Sequence, residues 1–389
     1  MRASSLNDVW AGMSRRALEL ALARGDIELG LDVLERSRAR AGADRADPTW
    51  FEALPRGTAV IVYAFGLQRT WAIAFRDDRQ QLIDLRVEPS SLRDRVILWR
   101  ELAKSSADVR HLAAIGDSLA SVLLQPVEAT GVLNGAEVVY AVPDDVLHLM
   151  PFSGIVNQRP PDRQPSYVSA QVPSVSTLVR VLGTAASDGP LVAFGSAGGA
   201  GTVAEMRAVR RAGGRVFTGR RATEAEWRRQ SPGASAIHFG GHAATPTPGA
   251  TTGALVLRAS SGHDGLLTIP EILETQVAGS TIVLLSCDTA TRISEPGPAE
   301  YYRQVPSLGD AFLSAGARAV VGNLWPITET DAQALAVEFY EAGGPARGAA
   351  ALEEARQALR ERFPDLPRRW AGTVWLGAVD RDQSLGRRW

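Results

Sequence analysis

The amino-acid sequence predicts an α/β protein in which helices cover both faces of a sheet made mostly of parallel strands. In the second half of the chain, short apolar runs alternate with segments of helical periodicity, as they do in strand–helix–strand units. Two of these runs, "IVLLS" at 282–286 and "AVVGNLW" at 319–325, are almost continuously apolar. Strands of a parallel sheet show this pattern because they are buried on both faces.

Composition narrows the class of protein. The chain has 389 residues and a formal net charge of −1, which argues against broad affinity for nucleic acids or anionic membranes. Its one cysteine, Cys287, rules out an internal disulfide and a cysteine-rich zinc site. The N-terminus lacks the apolar core of a signal peptide, and no apolar run is long enough to cross a bilayer. We therefore expect a cytoplasmic protein, and its length favours two compact units.

The N-terminal segment predicts two helices, at 6–25 and 26–42, because apolar residues recur there every three or four positions. Gly25 and Gly42 are typical helix ends. The pair has the size of one helical-repeat unit, but the sequence contains no second copy against which it could stack. We therefore expect residues 1–48 to form a helical pair that docks on the rest of the protein.

Between residues 57 and 167 the periodicity changes. The runs "TAVIVYAF", "TWAIAF" and "QLIDLRV" predict three short strands joined by polar turns. Helical periodicity follows over 91–124, and "AEVVYAVP" predicts another strand. The segment 157–167 is rich in Pro and Arg, which indicates a loop or a hinge between domains.

Strands and helices then alternate to the C-terminus. The predicted strands lie at 190–196, 215–219, 235–242, 280–286, 317–325 and 371–378, with a hairpin over 254–269. The predicted helices lie at 203–213, 223–230, 269–275, 307–316 and within 330–362. This order places His242 and Cys287 at the ends of two apolar strands.

His242 and Cys287 are the strongest candidate pair of functional residues, since polar groups collect at the carboxyl ends of strands in an open parallel sheet. If the two strands are neighbours, the imidazole can take the thiol proton and later return it to a leaving amine. The backbone N–H groups of Gly241 and Cys287 are then candidate donors to an oxyanion. The alternative is an inert buried cysteine and a core histidine, and the two residues alone leave both interpretations open.

The order of the pair adds information, because His242 precedes Cys287 by 45 residues (287 − 242). That order is found in caspases and is opposite to that of papain-like enzymes. His238 and His242 also suggest a metal site, but "SAIHFGG" resembles a strand and no glutamate lies between the histidines. We interpret His238 as a structural residue that could orient His242.

A second motif competes with this pair. In "VAFGSAGGAGTVAEMRAV", Gly199, Gly201 and Ala204 follow a strand and open a helix, as in a loosened dinucleotide-binding fingerprint. The next strand, "RVFTG", ends without the acidic residue that would bind a ribose hydroxyl, whereas Arg220 and Arg221 could meet a 2′-phosphate. A glycine-rich turn without a ligand is the alternative that we favour.

With "HFGGHA", "IVLLSCDTA", "AGARAVVGNLWP" and "WAGTVWLGAVD", the chain resembles the CHAT domain family, the caspase- and separase-related cysteine peptidases of bacteria. The resemblance covers roughly residues 50 to 380 and is most specific around Cys287 and in the "AGARAVVGNLWP" segment. It implies a caspase/separase-like fold with a parallel-rich sheet flanked by helices. It also implies a degenerate, pseudo-protease subdomain at 49–185 and an active subdomain at 186–389.

The resemblance further implies a catalytic dyad of His242 and Cys287, and no cofactor. Two features depart from the family pattern. Ala243 stands where a glycine commonly follows the dyad histidine, and the chain lacks the long array of tetratricopeptide repeats that precedes many members. We therefore expect a sensing function carried by such an array to come from another protein or to be absent.

We therefore expect a cysteine endopeptidase that cleaves a partner protein in bacterial antiviral defence or programmed cell death, after activation by a partner or sensor protein. We expect no nucleic-acid and no membrane partner. The alternative is a non-catalytic, caspase-like scaffold that binds proteins through its groove and its helical pair.

Acidic residues close in sequence to the cysteine predict a pocket that prefers a basic substrate residue, or alternatively they are solvated surface charges. They are Asp288, Glu295, Glu300 and Asp310. The segment 291–306 is predicted to be a long loop, and such a loop could act as a lid or as a site of activating cleavage.

Overall fold

The computed structural model describes residues 2–38, 47, 49–106, 108–156, 166–196, 198–244, 253–286, 289–291, 294–296, 302–304 and 307–380. The α-helices are α1 (Arg2–Ala23), α2 (Ile27–Arg38), α3 (Pro89–Ser105), α4 (Val109–Leu123), α5 (Gln125–Glu128), α6 (Phe152–Val156), α7 (Val175–Gly183), α8 (Ala200–Arg211), α9 (Glu224–Gln230), α10 (Ile269–Leu273), α11 (Leu308–Ser314), α12 (Glu329–Glu341) and α13 (Gly348–Arg362).

The strands are β1 (Thr58–Phe65), β2 (Thr70–Arg76), β3 (Arg79–Asp84), β4 (Val138–Val142), β5 (Val168–Gln171), β6 (Leu191–Gly195), β7 (Arg215–Thr218), β8 (Ala236–Gly240), β9 (His242–Ala244), β10 (Ala254–Val256), β11 (Leu266–Thr268), β12 (Thr281–Leu284), β13 (Ser294–Pro296), β14 (Tyr302–Gln304), β15 (Ala319–Asn323) and β16 (Thr373–Gly377). Among the helices of these described ranges, none combines the length and the hydrophobicity that a membrane span needs.

The chain divides into two compact units. Unit 1 contains residues 1–102, 110–179 and 294–304, and unit 2 contains residues 103–109, 180–293 and 305–389. The assignment of a degenerate half to 49–185 and of an active half to 186–389 stays a prediction.

The sheet of unit 1 has the strand order β3-β2-β1-β4-β5. Strands β1, β4 and β5 are parallel, whereas β1, β2 and β3 form an antiparallel meander. Every residue of β1 is buried, as its uniformly apolar sequence predicts for a central strand. In contrast, β3 at the edge is largely exposed and carries polar side chains.

The N-terminal helical pair docks on unit 1 through charged side chains. Glu19 on α1 accepts hydrogen bonds from the backbone N–H groups of Leu67 (2.6 Å) and Gln68 (3.0 Å) in the β1–β2 turn. Glu35 on α2 accepts from the N–H groups of Val175 and Ser176 at the first turn of α7, both at 3.0 Å. The carboxylate thus satisfies donors that a helix N-terminus leaves unpaired. The predicted docking of the pair is confirmed.

The sheet of unit 2 has the order β16-β15-β12-β8-β6-β7. Strands β15, β12, β8, β6 and β7 are parallel, and β16 is antiparallel to β15. Helices connect most of these strands, as parallel pairing requires. The α/β class with a mostly parallel sheet is therefore confirmed, and the carboxyl ends of β8, β12 and β15 meet at one edge.

Three parts of the fold differ from the sequence prediction. The predicted strand 235–242 ends early, because β8 stops at Gly240 and His242 begins the separate strand β9, which pairs with β10. Strand β5 was not predicted, since its sequence "VSAQ" is short and half polar. The predicted long loop 291–306 contains the antiparallel hairpin β13–β14.

Candidate active site

The strands that precede His242 and Cys287 are neighbours. Strands β8 and β12 pair in parallel, with Ala236 opposite Thr281 and Phe239 opposite Leu284. The pairing joins residues 45 positions apart, the same separation as that of His242 and Cys287. The adjacency that the dyad hypothesis requires is therefore confirmed.

A side-chain hydrogen bond extends this register beyond the ends of the strands. The hydroxyl of Ser286, which is 3% exposed, donates to the carbonyl oxygen of Gly241 at 2.7 Å. Ser286 directly precedes Cys287, and Gly241 directly precedes His242, whose side chain is exposed. Cys287 and Asp288 themselves lie outside the described residues. The residues that precede His242 and Cys287 are thus joined by a direct hydrogen bond.

Gly240 and Gly241 are required for close packing beneath His242. A Cβ atom on Gly240 would lie 2.4 Å from Oε2 of Glu205, and one on Gly241 would lie 2.1 Å from Oγ of Ser196. Both distances are shorter than any real contact of a Cβ atom, so larger residues at these positions would displace their neighbours. The two glycines therefore bring the backbone before His242 against polar side chains from α8 and from the end of β6.

His238 lies under this turn and is completely buried. Its Nδ1 atom is 3.1 Å from the hydroxyl of Tyr340 on α12, and its Nε2 atom is 3.5 Å from Oε2 of Glu205 on α8. The second distance is too long for a strong hydrogen bond, but it is short for an electrostatic contact in a dry interior. The contacts of His238 are thus with helices, which agrees with the structural role that we expected.

Tyr340 keeps its proton in this environment. Burial raises the pKa of Tyr340 well above its usual value of 10.0, and the charge of Glu205 raises it further. A protonated hydroxyl can donate to Nδ1 of His238, and in the tautomer that accepts this bond the ring proton is on Nε2, on the side of Glu205. We call Glu205, His238 and Tyr340 the buried triad.

A second network of hydrogen bonds surrounds Ser286. The side-chain amide of Asn323, at the end of β15, donates from Nδ2 to the carbonyl oxygen of Ser286 at 3.1 Å. Its Oδ1 atom accepts from the hydroxyl of Thr373 on β16 at 2.7 Å. The hydroxyl of Thr289 accepts from the backbone N–H of Asn323 (3.2 Å) and donates to the carbonyl oxygen of Leu284 (3.1 Å). The residues on both sides of 287–288 are therefore connected to β15.

The competing glycine-rich motif is occupied by a side chain of the protein itself. Oε1 of Glu329 accepts a hydrogen bond from the N–H of Thr202 at 3.1 Å, in the first turn of α8. A Cβ atom on Gly199 would lie 2.0 Å from Glu329 Oε1, and one on Gly201 would lie 2.4 Å from its Cγ. A carboxylate thus takes the position where a pyrophosphate would bind at the helix N-terminus. The glycine-rich turn without a dinucleotide is the interpretation that these contacts support.

A comparison with protein-family models finds a match to the CHAT domain over residues 113–378. The chain belongs to the CHAT domain family. A search of curated proteins found no match to the sequence. The family assignment therefore rests on a match that spans more than half of the chain and contains His242 and Cys287.

Solved structures with a similar fold include two crystal structures of the separase–securin complex from Saccharomyces cerevisiae. One has a TM-score of 0.55 at 10% sequence identity and covers 91% of this chain and 31% of that chain. The other has a TM-score of 0.53 at 10% sequence identity and covers 85% of this chain and 31% of the separase chain. The Arg-specific cysteine proteinase gingipain R also matches, with a TM-score of 0.47 at 10% sequence identity. The match covers 75% of this chain and 74% of the gingipain chain. This CHAT domain chain spans about a third of the length of the separase chains and has the caspase-like fold of cysteine proteases.

Of the acidic residues predicted near a pocket of the CHAT domain, Asp310 has a clear structural role. It is 7% exposed and forms a capping box at the start of α11, where its Oδ2 accepts from the N–H of Ser307 at 2.9 Å. It is therefore not a solvated charge. Glu295 lies in β13 opposite Arg303, and Asp288 and Glu300 lie outside the described residues. A pocket formed by these residues stays a prediction.

The partners of His238 and the residues of the network around Ser286 were not predicted from the sequence. Asn323 carries one signal that could have been used, because an amide at the end of the apolar run "AVVGN" must find hydrogen-bond partners where it is buried. Glu205, Tyr340 and Thr373 carry no such signal, since they occur in helical or strand patterns where polar residues are common. Their positions depend on contacts between distant segments.

Proposed function

We propose that this CHAT domain chain is a cysteine endopeptidase, with Cys287 as the nucleophile and His242 as the general base. One observation carries the proposal: β8 and β12 pair with the same 45-residue offset that separates the two residues, and the Ser286–Gly241 hydrogen bond maintains this offset one residue before each of them. Family membership and the caspase-like fold support the same assignment.

In the proposed reaction, His242 takes the proton of the Cys287 thiol, and the thiolate attacks the carbonyl carbon of a peptide bond. The N–H groups of Gly241 and Cys287 donate to the oxygen that becomes negative. His242 then returns the proton to the amine as the C–N bond breaks, which leaves a thioester on Cys287. Water hydrolyses the thioester, with His242 again as the base, and restores the thiol. The reaction requires no cofactor.

We extend the proposal to the biological setting. The substrate would be a protein in the bacterial cytoplasm, and the activity would serve antiviral defence or programmed cell death after a second protein has activated the enzyme. The similar separase structures are complexes with a second protein, securin, which supports a protein partner here. In this proposal residues 49–185 are the degenerate half and residues 186–389 carry the dyad, while Asp288, next to the nucleophile, contributes to a pocket for a basic substrate residue.

The test uses the fact that Cys287 is the one cysteine of the chain, so alkylation measured by intact mass reports on this thiol alone. A thiol with the usual pKa of about 8.5 is roughly 3% ionised at pH 7, and an imidazole partner increases that fraction. We expect iodoacetamide to alkylate the wild-type chain at pH 7 about ten times faster than it alkylates the His242→Ala variant. His263→Gln is the matched control, because His263 contacts Glu224 on α9 and is not in the proposed dyad.

Cleavage is measured on a peptide library and on candidate partner proteins, with Cys287→Ala as the inactive control. We expect the wild type to cleave the substrate and the Cys287→Ala and His242→Ala variants not to cleave it. Both variants should have the same unfolding temperature as the wild type. Cleavage that persists in Cys287→Ala contradicts the proposal. If the wild-type thiol reacts no faster than that of His242→Ala and no cleavage occurs, the scaffold alternative is correct.

A further inference from the structure

Asn323 and Thr373 form a side-chain pair next to the segment that carries the proposed nucleophile. They are directly opposite each other in the antiparallel pairing of β15 with β16, so their side chains lie on the same face of the sheet. Both are buried, with exposures of 0% and 2%. A buried amide needs partners for its donor and its acceptor, and these are the carbonyl oxygen of Ser286 and the hydroxyl of Thr373.

We propose that Asn323, oriented by Thr373, is a positioning residue that fixes the peptide group between Ser286 and Cys287 and thereby directs the N–H of that group toward the oxyanion. This inference rests on the proposed function. It assigns a task in the peptidase reaction to two residues outside the proposed dyad.

The geometry of a peptide group links the direction of its carbonyl to the direction of its N–H. Its carbonyl and N–H bonds lie in one plane and point in opposite directions when the bond is trans. Fixing the direction of the Ser286 carbonyl therefore fixes the direction of the N–H that follows it. The 3.1 Å bond from Asn323 Nδ2 supplies this constraint from one side. Such N–H donors stabilise an oxyanion only when they are already oriented.

Thr373 determines which end of the Asn323 amide faces Ser286. Because the Thr373 hydroxyl donates to Oδ1 at 2.7 Å, the Nδ2 group is directed at the Ser286 carbonyl. A reversed amide would place two acceptor oxygens, Oδ1 and the Ser286 carbonyl, against each other. The Ser286 hydroxyl separately donates to Gly241, so Asn323 acts on the backbone of Ser286 and leaves the link to His242 intact.

The test compares two reactions of the same thiol. Iodoacetamide reacts at a saturated carbon: the C–S bond forms, iodide leaves, and no oxyanion develops. A 4-nitrophenyl ester reacts at a carbonyl: the thiolate adds, an oxyanion forms, and 4-nitrophenolate leaves. The ratio of acylation rate to alkylation rate therefore measures oxyanion stabilisation separately from thiolate content. Cys287→Ala supplies the background of acylation at other groups.

Two nearly isosteric substitutions remove one hydrogen-bonding group each. Asn323→Leu removes the donor to Ser286, and we expect its ratio of acylation to alkylation to fall about 100-fold. Thr373→Val keeps the amide but removes the hydroxyl that orients it, and we expect a fall of about tenfold. Thr373→Ser retains a hydroxyl and should restore the wild-type ratio. Alkylation rates should stay within about threefold of wild type in all three variants.

The outcomes separate the two proposals. A wild-type ratio equal to that of a free thiol such as glutathione overturns the oxyanion site and, with it, the role of Asn323. A wild-type ratio far above that of glutathione, with Asn323→Leu and Thr373→Val unchanged, overturns the positioning role alone. If Asn323→Leu does not fold, the comparison of Thr373→Val with Thr373→Ser decides. Equal slowing of acylation and alkylation would indicate a structural role and would also contradict the inference.

Discussion

The hydrogen bond between Tyr340 and His238 in the buried triad should stabilise the folded protein, and its contribution to the unfolding free energy can be measured. The substitution Tyr340→Phe removes one hydroxyl and keeps the ring packed against His238, whose ring centroid is 5.5 Å away. It also leaves Nδ1 of a fully buried imidazole without its partner at 3.1 Å. An unsatisfied buried acceptor costs about 1–3 kcal/mol of unfolding free energy. For a domain of this size, each kcal/mol corresponds to a change of about 2–4 °C in Tm.

The pH dependence of this difference identifies its cause. The folded state raises the pKa of Tyr340 well above 10.0, so it holds the phenolic proton more tightly than the unfolded chain does. The resulting stability is fully present below the pKa of an unfolded tyrosine, about 10, and decreases at higher pH by about 1.4 kcal/mol per unit. The Phe variant has no such proton. We therefore expect the stability difference between wild type and variant to be constant from pH 7 to 9 and to shrink between pH 10 and 11.

The assay is urea unfolding of both proteins across this pH range, with the difference in unfolding free energy plotted against pH. Because all other tyrosines are common to the two chains, their ionisation cancels in the difference. A difference that stays constant up to pH 11 would refute the reasoning, since it would mean that Tyr340 ionises as easily in the folded as in the unfolded state. A difference near zero at pH 7 would show that the hydroxyl does not satisfy His238.

Two further predictions concern packing and docking. Gly240→Ala should lower the unfolding free energy by about 1–3 kcal/mol, because the new Cβ would lie 2.4 Å from Glu205 Oε2; Gly198→Ala, with open space around its Cα, is the control whose Tm should not fall. Asp145→Asn should cost about 2–3 kcal/mol, because it removes the charge that pairs with Arg15 on α1 while asparagine tolerates the φ of 53°. Limited proteolysis should then remove the N-terminal helices faster than in wild type, and an unchanged rate would contradict the docking role of this ion pair.

The sequence was sufficient for the apolar strands of the sheet, whereas the adjacency of β8 and β12 was only a condition of the dyad hypothesis. Runs such as "TAVIVYAF" and "TIVLLS" are apolar without alternation, and only a strand covered on both faces buries such a run. Strand β5 was missed because "VSAQ" contains two polar residues, and its place depends on pairing with β4. The strength of an apolar signal along the chain therefore decided which strands could be predicted.

The hydrogen-bond networks could not be predicted for a different reason. His238 was recognised as a buried residue that needs a partner, but its partner Tyr340 follows it by 102 positions. The same holds for Asn323, whose partners Ser286 and Thr373 are 37 and 50 positions away. Periodicity describes which face of an element is buried, but it carries no information on which distant polar atom will lie opposite a given side chain.

The hydrogen-bond network around Ser286 lies at the ends of apolar strands, and it connects these strands to the polar candidate site. Strands β15, β12 and β8 are adjacent and parallel, so their carboxyl ends meet at one edge. There, Asn323 donates to Ser286, and Ser286 donates to Gly241. A continuous series of hydrogen bonds therefore crosses the ends of three strands and reaches the residues before both dyad positions. The relative placement of Gly241 and Ser286 follows from the register of the sheet, which a shift of one residue would destroy by turning every side chain to the opposite face.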